Sequence, residues 1–564
     1  MITCFDGESI GGIYCLLGTQ TNYVYNAKGL TIQSSLDFLY NEAKTAEKNY
    51  FFSMNYDINK IFESLTEVKN KMLYDKGLII GCYKVKYYEG KILTLIKETK
   101  VKNKYAGKKY FFDIFGFFNT SFIAVLDILK IDYKRYATEL RAGKENRAKF
   151  SWEDIDKIIQ YNRIEMILLN DIVVKIHNLL PNELKTWRLY GSSSIAKLFL
   201  RKFGLWNCAE LNDPIFEKAY FGGRIEALKI GKFKNCYYYD INSAYPSVIK
   251  DLRFVLNYED SPIFSGSKIK LIDTDLYYIN YALIDKNSCG GFPHRLKSGY
   301  LIFPTEGSGW YYGIEIKANL HSHKIEFLKR RSIFLGEKIF GIEIDKIYKL
   351  RQKLKKKNNL TEYIYKILLN SLYGKFAQTK GYKEFTNLYY AGLITATIRA
   401  KLLTVIKGVE YNVLYFATDG VMMQEQLKNI TIDNHIGNFS VDIVKSGYIA
   451  LAGVYYYYTK ANEYKTGIRG VKTDNIKENF IEIEKTGKTK IKTQQFITNK
   501  LFFANQKAYK GKKGLIIDTV KEISIYTQLK RKFLSYNLKG LNNSIAISIA
   551  KEDKGQLNLF KTNN

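Results

Sequence analysis

"YYYDINSAYP", residues 237–246, runs three aromatics into an acid and then into a polar turn closed by proline. Aromatic residues favour strands, and Asn, Ser and Pro favour turns, so the stretch reads as a buried strand delivering Asp240 at its C-terminal tip. Alone, such an acid is an ordinary Asx-turn. A second acid shares its context: "YFATDGVMM", residues 415–423, reads as a β-hairpin with Asp419 at its Asp-Gly turn. Two carboxylates at a strand end and a hairpin tip form a donor set for two Mg²⁺ (or Mn²⁺) ions roughly 3.5–4 Å apart, an arrangement suited to phosphoryl transfer. Mg²⁺ takes few carboxylates and keeps positions for phosphates.

Composition points the same way. The chain has 564 residues, enough for several cores, and 87 Lys+Arg against 55 Asp+Glu leave a net charge of +32. A polyanion, nucleic acid above all, is the natural partner for that field. An AT-rich coding bias accounts for the lysines but not for the shortfall of acids. A hydrophobic content of 46% excludes a disordered chain. The six cysteines (4, 15, 82, 208, 236, 289) are scattered without a Cys-x-x-Cys pair and read as reduced thiols. His321 and His323 have no cysteine nearby and are not read as a metal site. The start "MITCFDGESI" lacks signal-peptide features and no run of about 18 apolar residues occurs, so a soluble, intracellular protein without membrane contact is expected. "GSSSIAK" and "GKKG" lack the spacing of a phosphate-cradling P-loop.

Residues 1–185 alternate strand-like and helix-like segments: two strands in "ITCFDGESIGGIYCLLG", a helix in "SLDFLYNEAKTA", a strand in "FFSMNYD", and a long helix in "IEMILLNDIVVKIHNLL" before Pro181. Residues 251–341 hold short β-like runs and turn signals, an inserted β-rich subdomain. "IEIDKIYKLRQKLKKK" and "NLTEYIYKILLNSLYGKF" read as an αα-hairpin, and "GLITATIRAKLLTVIKG" as a further helix. In the second hairpin helix Lys366, Asn370 and Tyr373 fall at i, i+4 and i+7, on one face. Lys355 would join that face if the helix ran unbroken. The tail alternates in "KTGKTKIKTQ", placing Lys488, Lys490 and Lys492 on one strand face, either to hold duplex phosphates or as a solvated lysine face.

Three stretches resemble motifs of family B DNA polymerases. Asp240-Ile-Asn-Ser-Ala-Tyr-Pro246 resembles D-x-x-S-L-Y-P, with Ala244 for Leu; Lys366 to Gly374, "KILLNSLYG", matches K-x-x-x-N-S-x-Y-G without departure; Tyr415 to Gly420 resembles Y-x-D-T-D-S, with Ala417 for the first acid and Gly420 for Ser. The resemblance implies that Asp240, Asp419 and the Ile241 backbone hold the metals, that Lys366 grips the incoming nucleotide's phosphates, and that Asn370 and Tyr373 line the nascent base pair; Lys355 is a further nucleotide-binding candidate by helical register alone. Tyr245 is similar to the family's ribose gate, whose ring collides with a 2′-hydroxyl. Since Ala417 replaces the less directly coordinating acid, catalysis with weaker metal binding is expected. "AYFGGRI", Ala219 to Ile225, resembles the Y-x-G-G element; Tyr220, Gly222, Gly223 and Arg224 are expected to meet DNA, the glycines by close backbone approach and Arg224 by charge.

The first domain resembles the family's 3′–5′ exonuclease. Asp6 and Glu8, alternate residues of one strand, with Asp57 and Glu165 form a four-carboxylate cage that two divalent cations would have to neutralise. Tyr161 keeps its place four residues before Glu165 and is expected to contact DNA; Asp171 is the spare ligand if Glu165 is not one. Departures are Ser9 for Thr, Asn55 too close to Asp57 for the full second motif, and Glu165 for the usual Asp. Asp6 lies so near Met1 that no N-terminal domain of the large replicases is expected, which resembles the protein-primed branch of viruses and linear plasmids. The interval 375–414 looks too short for that branch's second insertion.

The resemblance thus implies an α+β multidomain chain, a ribonuclease-H-like exonuclease followed by a right-hand polymerase: exonuclease 1–185, palm 186–250 and 378–490, an insertion 251–341 contacting terminal protein, fingers 342–377 and thumb 491–564. It implies a template-directed DNA polymerase with proofreading, a terminal-protein hydroxyl as primer, DNA template, primer and dNTPs as partners, and a monomer working in the host cytoplasm or at the nucleoid. The alternatives are a nucleic-acid-primed family B polymerase, a nuclease whose polymerase half only clamps substrate, and a nucleic-acid-binding replication subunit with impaired catalysis.

Overall fold

The computed structural model describes all residues except 99–106, 147–149, 206–212, 265, 267, 379–383, 429, 470–474, 528 and 549–564, and only the helical backbone of 144–146. Cys208 and the end of the expected thumb lie outside the described residues. The chain divides into two compact units.

The first unit comprises Met1–Lys202, Leu350–Ser371 and Gln494–Thr519. Its strands are β1 (Thr3–Ile10), β2 (Ile13–Gly18), β3 (Tyr23–Tyr25), β4 (Asn49–Phe51), β5 (Leu78–Ile80), β6 (Tyr83–Tyr88), β7 (Ile92–Lys97) and β8 (Lys108–Asp113), in the order β3-β2-β1-β4-β8-β7-β6-β5. β1, β4 and β8 run parallel, the rest antiparallel. Phe5, Phe51 and Phe111, one from each parallel strand, pack with ring centroids 5.3–6.3 Å apart into a core on one face. The helix Ile155–Leu179 buries Ile158, Tyr161, Ile164, Glu165, Leu168, Leu169, Ile172 and Ile176, a helical stripe that includes one acid. It ends where Leu180, extended before Pro181, leaves the helix.

"FFSMNYD" is not a strand. β4 stops at Phe51, Ser53 adopts a left-handed φ of 67°, and the helix Asn55–Ile61 follows, with Asp57 in its first turn. Asp113 anchors the break by accepting the Ser53 N–H at 2.9 Å. Residues Gln494–Thr519, expected in a C-terminal thumb, belong to this unit because Asn499, 1% exposed, donates from its backbone to Asn59 Oδ1 at 2.7 Å and from its amide to the Asn59 and Phe62 carbonyls.

The second unit comprises Phe203–Lys349, Leu372–Thr493 and Val520–Asn564. β9 (Arg224–Ala227) and β10 (Lys229–Ile241) precede the inserted strands β11 (Arg253–Pro262), β12 (Leu276–Leu283), β13 (His294–Arg295), β14 (Leu301–Ile302), β15 (Glu306–Tyr312) and β16 (His323–Lys338). The insert folds as its own sheet, β11-β16-β12-β15, plus the hairpin β13–β14, so residues 251–341 are β-rich. After it come β17 (Val413–Thr418), β18 (Gly420–Met423), β19 (Phe439–Leu451), β20 (Val454–Thr459) and β21 (Tyr464–Ile468), making with β9 and β10 a sheet ordered β21-β20-β19-β10-β18-β17-β9. Two apolar clusters cover its faces, one built on Tyr239, Ile398, Leu402 and Phe416, the other on Tyr415, Met422, Tyr448 and Ile483. The helix Leu388–Val405 is buried nearly all round, which is why its sequence shows no polar face. β22 (Lys488–Phe496) exposes Lys488, Lys490 and Lys492 and buries Thr489 and Ile491 between them.

Candidate active sites

Asp240 ends β10 and Asp419 forms the turn between β17 and β18. Antiparallel pairing sets Asp240 opposite Gly420, and the Ile241 N–H donates to the Asp419 carbonyl at 3.0 Å, so the two acids stand side by side. Thr418 and Ser243, which flank them, both hold left-handed φ values, 68° and 47°, and for β-branched Thr418 this is a strained conformation that aims the turn. Gly420 is required there: a Cβ would stand 2.5 Å from the Tyr238 hydroxyl and 2.9 Å from the Tyr239 carbonyl. Burial, then the Asp419 and Asp442 charges, pushes the Asp240 carboxyl up to about 7, opposed by Lys465. Burial also raises Asp419, opposed by the Arg469 cation. Asp442, on β19 opposite Tyr238, accepts from Lys465 Nζ at 2.6 Å and from the Tyr457 hydroxyl at 3.1 Å. Carboxylates crowded and half-desolvated in this way are short of positive charge, which fits a divalent-cation site.

Tyr245 lies beside this pair. Its ring centroid is 4.4 Å from that of Tyr373, and the Tyr373 hydroxyl is 3.0 Å from that of Tyr220. Gly223 makes room for the arrangement, since a Cβ would meet Thr418 Cγ2 at 2.6 Å and the Tyr245 hydroxyl at 3.0 Å. The Gly222 carbonyl accepts from Arg399 at 2.6 Å; Arg399 is itself locked in a buried pair with Glu315 at 2.7 Å. Arg224 departs from expectation. It is 1% exposed, pairs with Glu226, donates to the Cys289 and Gly290 carbonyls at 2.8 Å, and is sandwiched between Phe303 and Phe416 at 4.1 and 4.2 Å. A guanidinium so enclosed braces β9 and is unavailable to DNA.

Lys366 and Asn370 are exposed on one face of the helix Thr361–Phe376, together with half-buried Tyr373. Lys355 does not share their face: the helix Glu343–Lys356 ends first, Asn358 turns with φ 50°, and a separate helix begins at Thr361.

In the first unit Asp6, Glu8 and Glu165 bring carboxylate oxygens within 4.8 Å of one another. Glu165 arrives one turn after Asn162, whose amide donates to the Asp6 carbonyl at 3.2 Å and its carboxylate at 3.4 Å. Asp171 is exposed on the far part of that helix and is not in the group. Asp57 is also outside the group; 1% exposed, it accepts the Tyr14 hydroxyl at 3.0 Å. The Tyr14 ring crosses β1 at Gly7, between Asp6 and Glu8, where a Cβ would stand 1.9 Å from its hydroxyl. Burial, then Asp57 and Asp6, keeps that phenol protonated. Tyr161 is 3% exposed, packed against Gly143 and Phe150 at a cavity of 340 Å³, and is enclosed instead of presented to DNA. Three close acids on two elements again suit a divalent cation.

Sequence reasoning missed Tyr14, Asn162, Asp442 and Arg469. Only Asn162 carried a signal, three residues before Glu165 on the same helix face.

Over 93% of the chain the structure is similar to that of Phi29 DNA polymerase, all of whose chain is covered, with a TM-score of 0.65 at 13% identity. It is also similar, with a TM-score of 0.61, to Phi29 DNA polymerase complexed with primer-template DNA and incoming nucleotide substrates. These likenesses show that the chain has the fold of that polymerase. Residues 51–388 match the family described as DNA polymerase type B, organellar and viral. The chain is 26% identical to a DNA polymerase of Acidianus bottle-shaped virus (isolate Italy/Pozzuoli) over 90% of its length and 81% of that protein's, and 25% identical to the DNA-directed DNA polymerase of Enterobacteria phage PRD1 over 68% and 73%. It belongs to the type B DNA polymerases of organellar and viral kind.

Proposed function

We propose that this DNA polymerase carries two reaction centres: nucleotidyl transfer at Asp240 and Asp419, and 3′–5′ excision at Asp6, Glu8, Asp57 and Glu165. The observation that carries the first is the side-by-side placement of Asp240 and Asp419, joined through the Ile241 N–H at 3.0 Å, with Asp240 raised to about 7 by burial and then by its acidic neighbours. Asp240, Asp419 and the Ile241 carbonyl would hold the divalent ions, which when bound neutralise the triphosphate and activate the attacking hydroxyl. Tyr245, backed by the Tyr373 ring, excludes a 2′-hydroxyl, while Lys366 binds phosphates and Asn370 and Tyr373 border the new base pair. Tyr373, packed tilted against Tyr245 at 4.4 Å, fixes the gate's position. Ala417, 7% exposed and paired with Gly420, leaves the Asp419 turn intact, which supports catalysis without the family's first acid.

At the excision centre Asp6, Glu8 and Glu165 present one charged surface, and Tyr14 fixes Asp57 beside it. The exposed Lys488, Lys490 and Lys492 hold duplex phosphates. The separate β-sheet of the insert supports initiation on a terminal-protein hydroxyl, because it occupies the slot where the protein-primed branch meets its primer protein. Primer extension and 3′ degradation with Mg²⁺, on wild type, Asp419→Ala and Asp6→Ala, test the reading: extension is lost in the first variant only and degradation in the second only. DNA binding with neither activity in wild type would make the protein a non-catalytic replication subunit.

A further inference from the structure

The face of the second unit's sheet that carries Asp240 also carries a cation that has no ion pair among the described residues. β21 pairs with β20 so that Lys465 faces Tyr457, Gly467 faces Tyr455 and Ile468 faces Val454. Alternation then puts Lys465, Gly467 and Arg469 on one face. Lys465 is committed to Asp442 at 2.6 Å. Gly467 is bare because the Tyr455 ring lies across it, 3.0 Å from where a Cβ would be. Lys530, which feels the Arg469 charge, is spent on the Ile225 carbonyl at 2.8 Å.

Arg469 is different. Its backbone N–H donates to the Gly453 carbonyl at 3.0 Å, and its aliphatic stem lies flat on Gly453, where a Cβ would meet Cδ, Cγ and Cβ at 2.7, 2.9 and 3.2 Å. Gly453, with φ 84°, both makes that turn and clears that space. The stem is thereby held, yet among the described residues the guanidinium has neither an ion pair nor a side-chain hydrogen bond, and the residue is exposed. The cation still acts at the site: after Arg399, it draws the phenol of Tyr245 down against the effect of burial. An arginine fixed by its stem on the face that carries Asp240, within electrostatic reach of Tyr245 but not bonded to it, leaves room for a further, anionic group.

We propose that the Arg469 guanidinium, propped on Gly453, binds a phosphate of the reacting complex at the Asp240–Asp419 site. The planar fork suits two phosphate oxygens, which a lysine ammonium matches only as a point charge. The phosphate comes either from the primer's terminal phosphodiesters or from the incoming nucleotide. This assignment rests on Asp240 and Asp419 being the polymerase acids.

The test uses the full chain with Arg469→Ala, Arg469→Lys and Arg469→Gln, the last keeping the stem over Gly453 in case truncation to Ala lowers the melting temperature. Primer–template Kd is read by fluorescence anisotropy over a salt series, and nucleotide KM and kcat by single-nucleotide incorporation. Loss of a charge-assisted phosphate contact is expected to weaken one ligand roughly ten- to a hundredfold, with Arg469→Lys intermediate. If the primer supplies the phosphate, primer–template Kd rises and its salt slope falls by about one, with nucleotide KM unchanged. If the nucleotide supplies it, KM rises and the DNA Kd and slope stay put. Both values within twofold of wild type in a folded variant would overturn the proposal. Failure of wild type itself to incorporate nucleotide would sink the polymerase-site reading instead, while the anisotropy arm would still score Arg469.

Discussion

Replacing Asp240 by Asn should make the metal-free protein more stable while abolishing polymerisation. The folded Asp240 carboxyl sits at about 7 against an ordinary 3.8. A rise of about three units is worth about 4 kcal/mol at about 1.4 kcal/mol per unit, and solvent reaching the partly exposed group trims this to about 1–2 kcal/mol. Because the folded value lies above the unfolded one, the folded state binds the proton more tightly. Stability from this group is full below about pH 4, declines as pH rises through 7, and is wholly lost above it. Asn, the same shape without the charge, removes the penalty. Thermal unfolding in EDTA at pH 8 should give Asp240→Asn the higher Tm, and at pH 4 the two proteins should melt together. Adding Mg²⁺ at pH 8 should raise wild type more than the variant, which keeps only the Asp6, Glu8 and Glu165 group, since an ion bound to the folded state stabilises it. A variant less stable than wild type at pH 8 in EDTA would refute the claim that neighbouring acids and burial strain this carboxylate.

Arg224→Ala should destabilise the protein by up to about 3–5 kcal/mol, since it removes the bidentate partner of buried Glu226 and leaves it only Arg531 at 3.4 Å; a normal melting curve with a selective loss of DNA affinity would restore Arg224 as a DNA ligand. Gly7→Ala should abolish 3′–5′ degradation and spare extension, because its Cβ collides with the Tyr14 hydroxyl that holds Asp57; gel assays of both activities decide it. Tyr245→Ala should raise ribonucleotide incorporation, measured as the ratio of kcat/KM for dNTP and NTP, without loss of primer–template affinity. Changing Lys488, Lys490 and Lys492 together to Ala should lower the salt slope of DNA binding by about 2–3, whereas an unchanged slope would mark them as a solvated face.

The placements of Asp240 and Asp419 were readable because each is a local pattern: an aromatic strand ending in Asp240, and an Asp-Gly hairpin. Lys488, Lys490 and Lys492 were readable for the same reason, since a period of two survives whatever the strand packs against. Asp57 was misplaced because "FFSMNYD" alternates like a strand, and only the left-handed Ser53, held from Asp113 sixty positions on, turns it into a helix. Arg224 was misread because a Gly-Gly-Arg run suits a phosphate; Glu226, two residues on and so on the same strand face, was the overlooked sign of an internal pair. Lys355 failed at the Asn358 turn. Tyr14, Asp442 and Arg469 owe their places to strand pairing and long-range contact, which neighbouring letters do not encode.

The central claim is that Asp240 and Asp419 meet across a shared cation. Anomalous diffraction from crystals grown with Mn²⁺, primer-template and a non-hydrolysable nucleotide tests it most directly. Manganese peaks between those two carboxylates are predicted, and they should vanish in Asp419→Ala. Manganese at Asp6, Glu8 and Glu165 alone, with nothing bridging Asp240 and Asp419, would contradict it.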